Sequence, residues 1–350
     1  MKSASFATRT IAWQKRHGRH DLPWQSTRDP YRIWLSEIML QQTQVATVIP
    51  YYARFLEKFP TLRDLARASE DEVLALWSGL GYYSRGRNLL RAAQIVADQF
   101  GGEFPQAIDD ILKLPGVGQS TAAAISAFAF SERQAILDGN VKRVFTRHFG
   151  IAGFPGGKKV EAKLWSVANK SLPKKDIEAY TQGLMDLGAT VCLRSRPLCL
   201  ACPVEDTCVA KREDRIQELP APRPKKPIPE RSTTMLIIAH EGEVLLEKRP
   251  PIGIWAGMWC FPELANGSNP RDACRERFGL ETKPLKPWHV LQHGFTHFKL
   301  SITPQPIAVR KKLPRAAEPG VIWLSIGDAL VAAIPQPVRT LLTKLDEQKM

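Results

Sequence analysis

The sequence LPGVGQSTAAAISAFAFSERQAILDGN, residues 114–140, joins a glycine-bracketed hairpin, a helix of small residues and a lone carboxylate, Asp138. Gly116 and Gly118 have no side chains, so backbone N–H groups of the hairpin can approach a phosphate at the start of the following helix. Such a hairpin grips a nucleic-acid backbone without reading its bases. The five hairpin residues alone also suit an ordinary turn between buried helices, so the rest of the chain must decide.

The composition is that of a globular protein with a basic surface. The chain has 350 residues, 44% hydrophobic and 24% charged, which suits two or three domains. Its formal net charge of +14 favours a polyanionic partner such as nucleic acid, although charge alone supports only a salt-sensitive attraction. We expect a cytoplasmic protein without a targeting signal, because the sequence has neither a membrane-length apolar run nor an apolar signal segment. The acid-free stretch 1–20 is also typical of transit peptides, but a first helix is the favoured interpretation.

The first 210 residues or so show apolar residues at helical spacing, which predicts an all-helical region. Asp29 and Pro30 form a favourable start for a helix over 31–43. Further helices are predicted near 47–58, 70–77, 84–100, 107–113, 119–130, 141–149, 158–170 and 177–189.

A proline-rich linker separates this region from a mixed one. Five prolines fall within 211–231, which excludes a regular helix or a central strand. Beyond the linker, 233–239 and 244–247 form a predicted β-hairpin. Strands are also predicted at 296–303 and 321–324, and helices near 270–278, 326–333 and 337–347. This part of the chain is therefore predicted to be α+β.

Four of the six cysteines, Cys192, Cys199, Cys202 and Cys208, have the spacing C-x6-C-x2-C-x5-C. In a chain without a secretion signal such clustering predicts a metal site rather than disulfides. All-sulfur ligation fits either a structural zinc or a [4Fe–4S] cluster. Because the sequence has a single short C-x2-C pair, where zinc sites usually have two, we favour the cluster.

Two carboxylates could act together in acid catalysis, which needs a proton donor for a leaving group and an anion beside a developing cation. Glu37 shares a largely apolar helix stripe with Ile33 and Leu40, where desolvation should raise its pKa. Asp138 precedes a predicted helix, whose N–H groups and dipole should favour its ionised form. Two carboxylates whose pKa values are shifted in opposite directions would serve as a proton donor and as an anion that stabilises a cation. Taken singly, Glu37 also fits a charged residue at the edge of an apolar helix stripe, and Asp138 also fits an ordinary helix N-cap.

Together these motifs resemble the endonuclease III superfamily of helix-hairpin-helix DNA glycosylases over about residues 20–210. Five stretches resemble its adenine-excising, MutY-type branch: LPWQ (22–25), SEIMLQQTQVATVIPYY (36–52), WSGLGYYSRGRNL (77–89), LPGVGQSTA (114–122) and ILDGNVKRV (136–144). The resemblance implies that Glu37 protonates adenine, that Asp138 stabilises the sugar cation or a transient adduct, and that Asn140 assists by hydrogen bonding. It also implies a [4Fe–4S] cluster on the four cysteines.

The resemblance further implies a set of substrate and DNA contacts. Trp24 and Gln182 would line the pocket of a flipped adenine. Further DNA contacts would come from the hairpin residues Gly116, Gly118 and Ser120, and from Gln41, Gln42, Thr43, Leu80 and Tyr82, which would wedge into the base stack and hold the partner base. Members that also cut the backbone carry lysine where this chain has Ser120, which predicts a monofunctional glycosylase. Because Lys142 lies two residues after Asn140, a weak lyase activity, which cuts the DNA backbone, remains an alternative.

Residues from 232 onward resemble the Nudix-like C-terminal domain of the same branch, as in VLLEKRPPIGIWAGMWCFPE (244–263). The stretch 271–280 offers Glu276 but lacks the run of glutamates that binds Mg²⁺ in Nudix hydrolases, so we expect no hydrolase activity there. The resemblance implies that Phe295, Thr296 and His297 form the loop that reads 8-oxoguanine opposite adenine.

The predicted fold is therefore a helical domain at 1–211, a linker at 212–231 and a Nudix-like α+β domain at 232–350. The helical domain is divided into a helical-barrel subdomain with the hairpin (about 25–133) and an iron–sulfur subdomain (1–24 plus 134–211). The predicted activity is removal of adenine opposite 8-oxoguanine or guanine in duplex DNA, which starts base excision repair. We expect a monomer associated with the bacterial nucleoid and not with membranes. The alternatives are an endonuclease III-type pyrimidine glycosylase and lyase, a Nudix hydrolase of the nucleotide pool, and a non-catalytic iron–sulfur DNA-binding protein.

Overall fold

The computed structural model describes residues 5–224, 227–265, 267–314 and 319–347. Two compact units make up the chain, Met1–Ala66 with Arg91–Lys225 and Arg67–Leu90 with Lys226–Met350. Residues 67–90, which the sequence placed in the helical domain, thus belong to the same unit as the C-terminal residues. The predicted linker includes Lys225 and Lys226, which lie outside the described residues.

The described chain from residue 5 to residue 224 is helical and contains no strand, as its apolar spacing predicted. Its helices are α1 (Phe6–His17), α2 (Pro30–Leu40), α3 (Val45–Lys58), α4 (Leu62–Arg67), α5 (Glu70–Trp77), α6 (Ser84–Gln99), α7 (Ile108–Ile111), α8 (Gln119–Phe130), α9 (Gly139–His148), α10 (Lys158–Lys170), α11 (Ile177–Asp186) and α12 (Val209–Arg212). A π-helical turn, Leu187–Val191, continues α11. The short helix α4 was not predicted.

Helix α2 begins where its sequence predicted. The Asp29 carboxylate accepts the Tyr31 N–H at 2.9 Å, and Pro30 occupies the first turn, where its missing N–H is harmless. The helix ends at Leu40, short of the predicted Thr43. Gln42 takes a left-handed φ of 57°, which is incompatible with a continuing helix.

Close packing in the first unit depends on small residues. Buried alanines of α8 share one apolar core with Phe145 of α9 and Leu184 of α11. A Cβ at Gly183 would lie 3.0 Å from side-chain carbons of both Thr10 and Gln14, so glycine at this position permits the close approach of α1 and α11. The functional elements are therefore held by a dense interior.

The second unit is a mixed sheet with helices. Its C-terminal elements are β1 (Glu230–His240), β2 (Glu243–Lys248), β3 (Trp259–Cys260), β4 (Glu263–Leu264), α13 (Pro270–Phe278), β5 (Leu280–Pro284), β6 (Leu291–Gly294), β7 (Lys299–Lys312), β8 (Val321–Ser325), α14 (Ile326–Val331) and α15 (Gln336–Glu347). The main strand order is β3-β2-β1-β7-β5, with β1 and β7 parallel. The predicted hairpin is confirmed, with Ala239 opposite Val244. Strands β3 to β6 were not predicted.

Residues 67–90 join this unit through both apolar and polar contacts. Leu74 of α5 is fully buried in one core with Met235 and Leu342. The Ser78 hydroxyl donates to the carbonyl of Ile334 at 2.7 Å, and Asp71 pairs with Lys248 at 2.8 Å. In the described part of the chain, no helix is long and apolar enough to cross a membrane.

Candidate active site

Glu37 of α2 lines a cavity of about 460 Å³ in the first unit. Its neighbours on the helix, Ser36 and Ile38, are buried. Burial raises the pKa of Glu37 to about 8, and the nearby charge of Asp138 acts in the same direction. The sequence prediction of a raised pKa therefore agrees with the structure, and Glu37 retains its proton at neutral pH.

Asp138 is the N-cap of α9, and its Oδ1 accepts the Val141 N–H at 2.7 Å. The prediction from sequence was that the helix terminus would favour the ionised form. The structure contradicts this prediction for the net shift: burial raises the pKa of Asp138, and this effect exceeds the opposing effects of the Val141 N–H and the Arg143 charge. Desolvation is a tertiary effect, so the local helix signal could not reveal it.

Glu37 and Asp138 form an electrostatically coupled pair, since the charge of Asp138 raises the pKa of Glu37. Coupled carboxyl groups lose their protons in two macroscopic steps. Between these steps the pair holds one proton and one negative charge. One acid and one anion are the groups that cleavage of an N-glycosidic bond needs.

Asn140 is held in place from two sides. Its Oδ1 accepts from Arg143 Nη2 at 2.9 Å, and the same guanidinium donates to the carbonyls of Gly188 and Cys192 at 2.6 and 2.8 Å. A Cβ on Gly188 would lie 2.5 Å from the Cβ of Asn140. Gly188, in the π-helical turn after α11, is therefore in close contact with the start of α9.

Trp24 and Gln182 line the same cavity as Glu37. Trp24 is buried and contacts Tyr52 edge-on, with ring centroids 5.4 Å apart. The Gln182 amide donates to Asp186 at 2.8 Å, and Asp186 pairs with Arg19 at 2.7 Å. We did not predict Asp186 or Arg19, although the i, i+4 spacing of Gln182 and Asp186 was a usable signal.

The hairpin is stabilised by side chains from elsewhere. Gly116 has a left-handed φ of 82°, and Gly118 caps α8 with open space where a Cβ would point. Gln41 donates to the carbonyl of Gly116 at 3.3 Å. Ser120 Oγ accepts the Leu137 N–H at 3.0 Å, so it fixes the chain immediately before Asp138.

The predicted DNA-contacting residues differ in exposure. Gln42 is exposed, and Thr43 is half-buried. In the second unit, Tyr82 is 42% exposed, whereas Leu80 is only 6% exposed. In this conformation Leu80 is therefore a core residue rather than an available wedge.

The second unit contains a cavity of about 480 Å³ lined by Tyr82, Trp255 and the loop Phe295, Thr296 and His297. Phe295 stacks on Phe298 with centroids 4.4 Å apart, whereas Thr296 and His297 are exposed. The structure thus brings Tyr82 and the predicted lesion-reading loop to one cavity. Sequence reasoning had placed them in different domains.

The four cysteines of the C-x6-C-x2-C-x5-C motif line one small cavity together with apolar residues such as Val144 and Leu187. Burial raises the pKa of the Cys199, Cys202 and Cys208 thiols, for Cys202 to about 12, and the charges of neighbouring cysteines act in the same direction. Arg147 donates to Cys192 Sγ at 3.4 Å and would offset thiolate charge. Within the described residues, no three His, Cys, Asp or Glu side chains stand in a metal-binding arrangement. The four cysteine sulfurs that line this cavity nevertheless suit a metal group that is bound by sulfur alone.

Comparisons with known proteins cover both units. A family model described as HhH-GPD superfamily base excision DNA repair protein matches residues 35–170, and one described as NUDIX domain matches 233–344. The chain is 36% identical to an adenine DNA glycosylase of Buchnera aphidicola subsp. Acyrthosiphon pisum over 96% of either chain. It is 33% identical to the adenine DNA glycosylase of Rattus norvegicus, covering 99% of this chain and 78% of that one.

Among solved structures, the fold is similar to that of a thermostable thymine-DNA glycosylase, with 30% identity and a TM-score of 0.55 over 59% of this chain and 95% of that one. A non-covalent endonuclease III–DNA complex matches with 24% identity and a TM-score of 0.50, over 58% of this chain and 92% of that one. These structures match a part of the chain, whereas the two relatives extend over nearly all of it.

Proposed function

Because the chain belongs to the adenine DNA glycosylases, within the HhH-GPD superfamily of base excision DNA repair proteins, we propose that it excises adenine paired with 8-oxoguanine or guanine in duplex DNA. The observation that carries the proposal is that Glu37 lines a cavity of about 460 Å³ and that the nearby charge of Asp138 raises its pKa. This volume is in the range of pockets that enclose small molecules. It therefore suits a single extruded base.

In the proposed reaction Glu37 donates its proton to a ring nitrogen of adenine as the bond between the base and C1′ breaks. The bonding electron pair leaves with the protonated base, and the ionised Asp138 stabilises the cationic sugar that remains. A water oxygen then adds to C1′ and passes its proton to the now ionised Glu37, which restores the acid. Asn140, held by Arg143, lies at the start of the same helix as Asp138 and assists by hydrogen bonding.

The partner base is read, in this proposal, by the second unit. The exposed Thr296 hydroxyl offers a hydrogen bond to the oxidised edge of 8-oxoguanine, and Tyr82 shares its cavity. Because Thr296 carries a methyl group next to its hydroxyl, lesion affinity depends on the room around that methyl. The hairpin at Gly116 and Gly118, with the chain's charge of +14, supports binding to the DNA backbone of the nucleoid.

We propose that Cys192, Cys199, Cys202 and Cys208 hold a [4Fe–4S] cluster, which would order the segment that connects them. Four thiol ligands and the Arg147 guanidinium support this proposal. Iron and sulfide analysis with a visible absorption spectrum tests it. A colourless protein that contains zinc would contradict it.

The activity is tested with duplexes that carry adenine opposite 8-oxoguanine, adenine opposite guanine, adenine opposite thymine, or thymine glycol. The wild-type chain should release adenine from the first two, and Asp138→Asn should lose at least about 10²-fold in rate. Asp346→Asn, an exposed change on α15, is the matched control and should keep full activity. Release of thymine glycol, or undiminished adenine release by Asp138→Asn, would refute the proposal in favour of a pyrimidine glycosylase or of a protein without this chemistry.

A further inference from the structure

Asp186, at the end of α11, is a fully buried carboxylate next to the candidate active site. The backbone N–H of Arg19 donates to its Oδ2 at 2.9 Å, and the Arg19 guanidinium donates to its Oδ1 at 2.7 Å. The Gln182 amide donates to the same Oδ1 at 2.8 Å. Both carboxylate oxygens of Asp186 therefore act as hydrogen-bond acceptors.

A carboxyl group whose two oxygens both accept hydrogen bonds has no hydrogen turned toward a neighbouring amide, so it fixes which end of that amide faces it. Gln182 must therefore turn its NH₂ group toward Asp186. Its carbonyl oxygen accepts no hydrogen bond from the described part of the chain, and Gln182 lines the cavity beside Glu37. The geometry consequently leaves a hydrogen-bond acceptor for an occupant of that cavity.

We propose that Asp186, braced by Arg19, is a positioning residue that locks the Gln182 amide with its oxygen toward the base and so makes the cavity selective for adenine. This inference rests on the proposed function of the first unit. Adenine presents a ring nitrogen acceptor beside an N6 amino donor, whereas guanine and hypoxanthine present an oxygen acceptor at that position. The protonated Glu37 can donate to the ring nitrogen, and the Gln182 oxygen can accept from N6. An O6 base would place two acceptors against each other.

The decisive measurement is the ratio of single-turnover excision rates for adenine and hypoxanthine, each opposite 8-oxoguanine. In Asp186→Asn, residue 186 can accept or donate, so the Gln182 amide is free to reverse. We expect the adenine-to-hypoxanthine ratio to fall by about tenfold or more. A merely structural role of Asp186 would slow both substrates alike and leave the ratio unchanged, which would overturn the inference.

Asp176→Asn is the matched control, because Asp176 directly precedes α11 and pairs with Lys15 of α1 at 2.7 Å without lining the cavity. Its rate ratio should equal that of the wild type. A fall in the ratio as large as that of Asp186→Asn would overturn the inference, since the effect would then follow from any lost ion pair on α11.

A charge swap keeps the test valid if Asp186→Asn alone does not fold. In Asp186→Asn with Gln182→Glu, the new amide donates to the new carboxylate, whose second oxygen again offers an acceptor to the base. The double variant should recover adenine preference, and failure to recover it would contradict the inference. If the wild type releases no adenine at all, the proposed function itself fails, which is a separate outcome.

Discussion

At the scale of single residues, the raised pKa of Glu37 links catalysis to stability. A folded-state pKa of about 8, above the usual 4.5, means that the folded protein binds this proton more tightly than the unfolded chain. The associated stability is complete below pH 4.5 and is lost as the pH rises toward 8. The excision rate should likewise fall above pH 8, because the acid loses its proton.

Glu37→Gln should therefore separate the two properties. We expect a loss of about 10²- to 10⁴-fold in excision rate, because the amide cannot transfer a proton. Thermal unfolding should show a variant that is at least as stable as the wild type, with an advantage that grows from pH 5 to pH 8. Equal pH dependence of stability in the two proteins would show that Glu37 is not desolvated. Glu213→Gln, an exposed change, is the control.

Lys142 gives a second prediction, on the lyase activity that the sequence left open. Its ammonium pairs with Glu161 at 2.5 Å, and the lysine side chain is only 23% exposed. Glu161→Gln removes the carboxylate and frees the amine to attack C1′ of the product sugar, which forms a Schiff base with loss of water. Borohydride should then trap several-fold more protein on DNA than in the wild type.

The trapped complex should disappear in Glu161→Gln combined with Lys142→Ala. Glu213→Gln breaks an ion pair with Arg215 far from Lys142 in sequence and should leave trapping at the wild-type level. Unchanged trapping in Glu161→Gln would show that the ion pair does not restrain Lys142.

At the scale of elements, the π-helical turn Leu187–Val191 brings α11 and α9 together near the candidate active site. Single π turns inside α-helices are frequent at functional sites. Gly188→Ala would place a methyl group 2.5 Å from the Cβ of Asn140, so α9 or the turn must shift. We expect a loss of about tenfold or more in excision rate, since small displacements of catalytic groups are costly.

The matched control is Gly327→Ala in α14, where a Cβ would make only an ordinary contact of 3.8 Å. This variant should fold and retain full activity, with a slight gain in stability because alanine favours helix. If Gly188→Ala also kept full activity, the position of Asn140 would be unimportant for the reaction.

The elements that the sequence predicted well are those with strong local signals. Helix α5 spans the predicted 70–77, and its capping box between Ser69 and Glu72 is present. Strands β3 and β6 were missed because they are short and exist through pairing with distant strands. The same contrast holds in the site: the apolar stripe of α2 predicted the raised pKa of Glu37, whereas the raised pKa of Asp138 and the role of Asp186 depend on tertiary contacts.

At the scale of the whole molecule, residues 67–90 belong to the unit of the C-terminal residues. A chain ending at residue 225 should therefore expose Leu74 and Tyr83, which pack in the core of the second unit. We expect such a chain to bind a hydrophobic dye and to melt at a lower temperature than the full chain.

In the full chain, Leu74→Ala should lower the free energy of unfolding by about 2–5 kcal/mol, because this side chain is completely buried. In the shortened chain the same change should cost little, since its partners are gone. An equal cost in both chains would show that Leu74 packs mainly against other residues.

The two-unit division also means that the chain crosses from one unit to the other after Ala66, after Leu90 and after Lys225. A gene fusion that cut the chain once, between the two predicted domains, would carry over only the C-terminal residues. The second unit would then be incomplete, because it would lack residues 67–90. The two units are thus expected to be inherited together, and a gene that gained or lost the C-terminal residues would also need changes in the surface of α5.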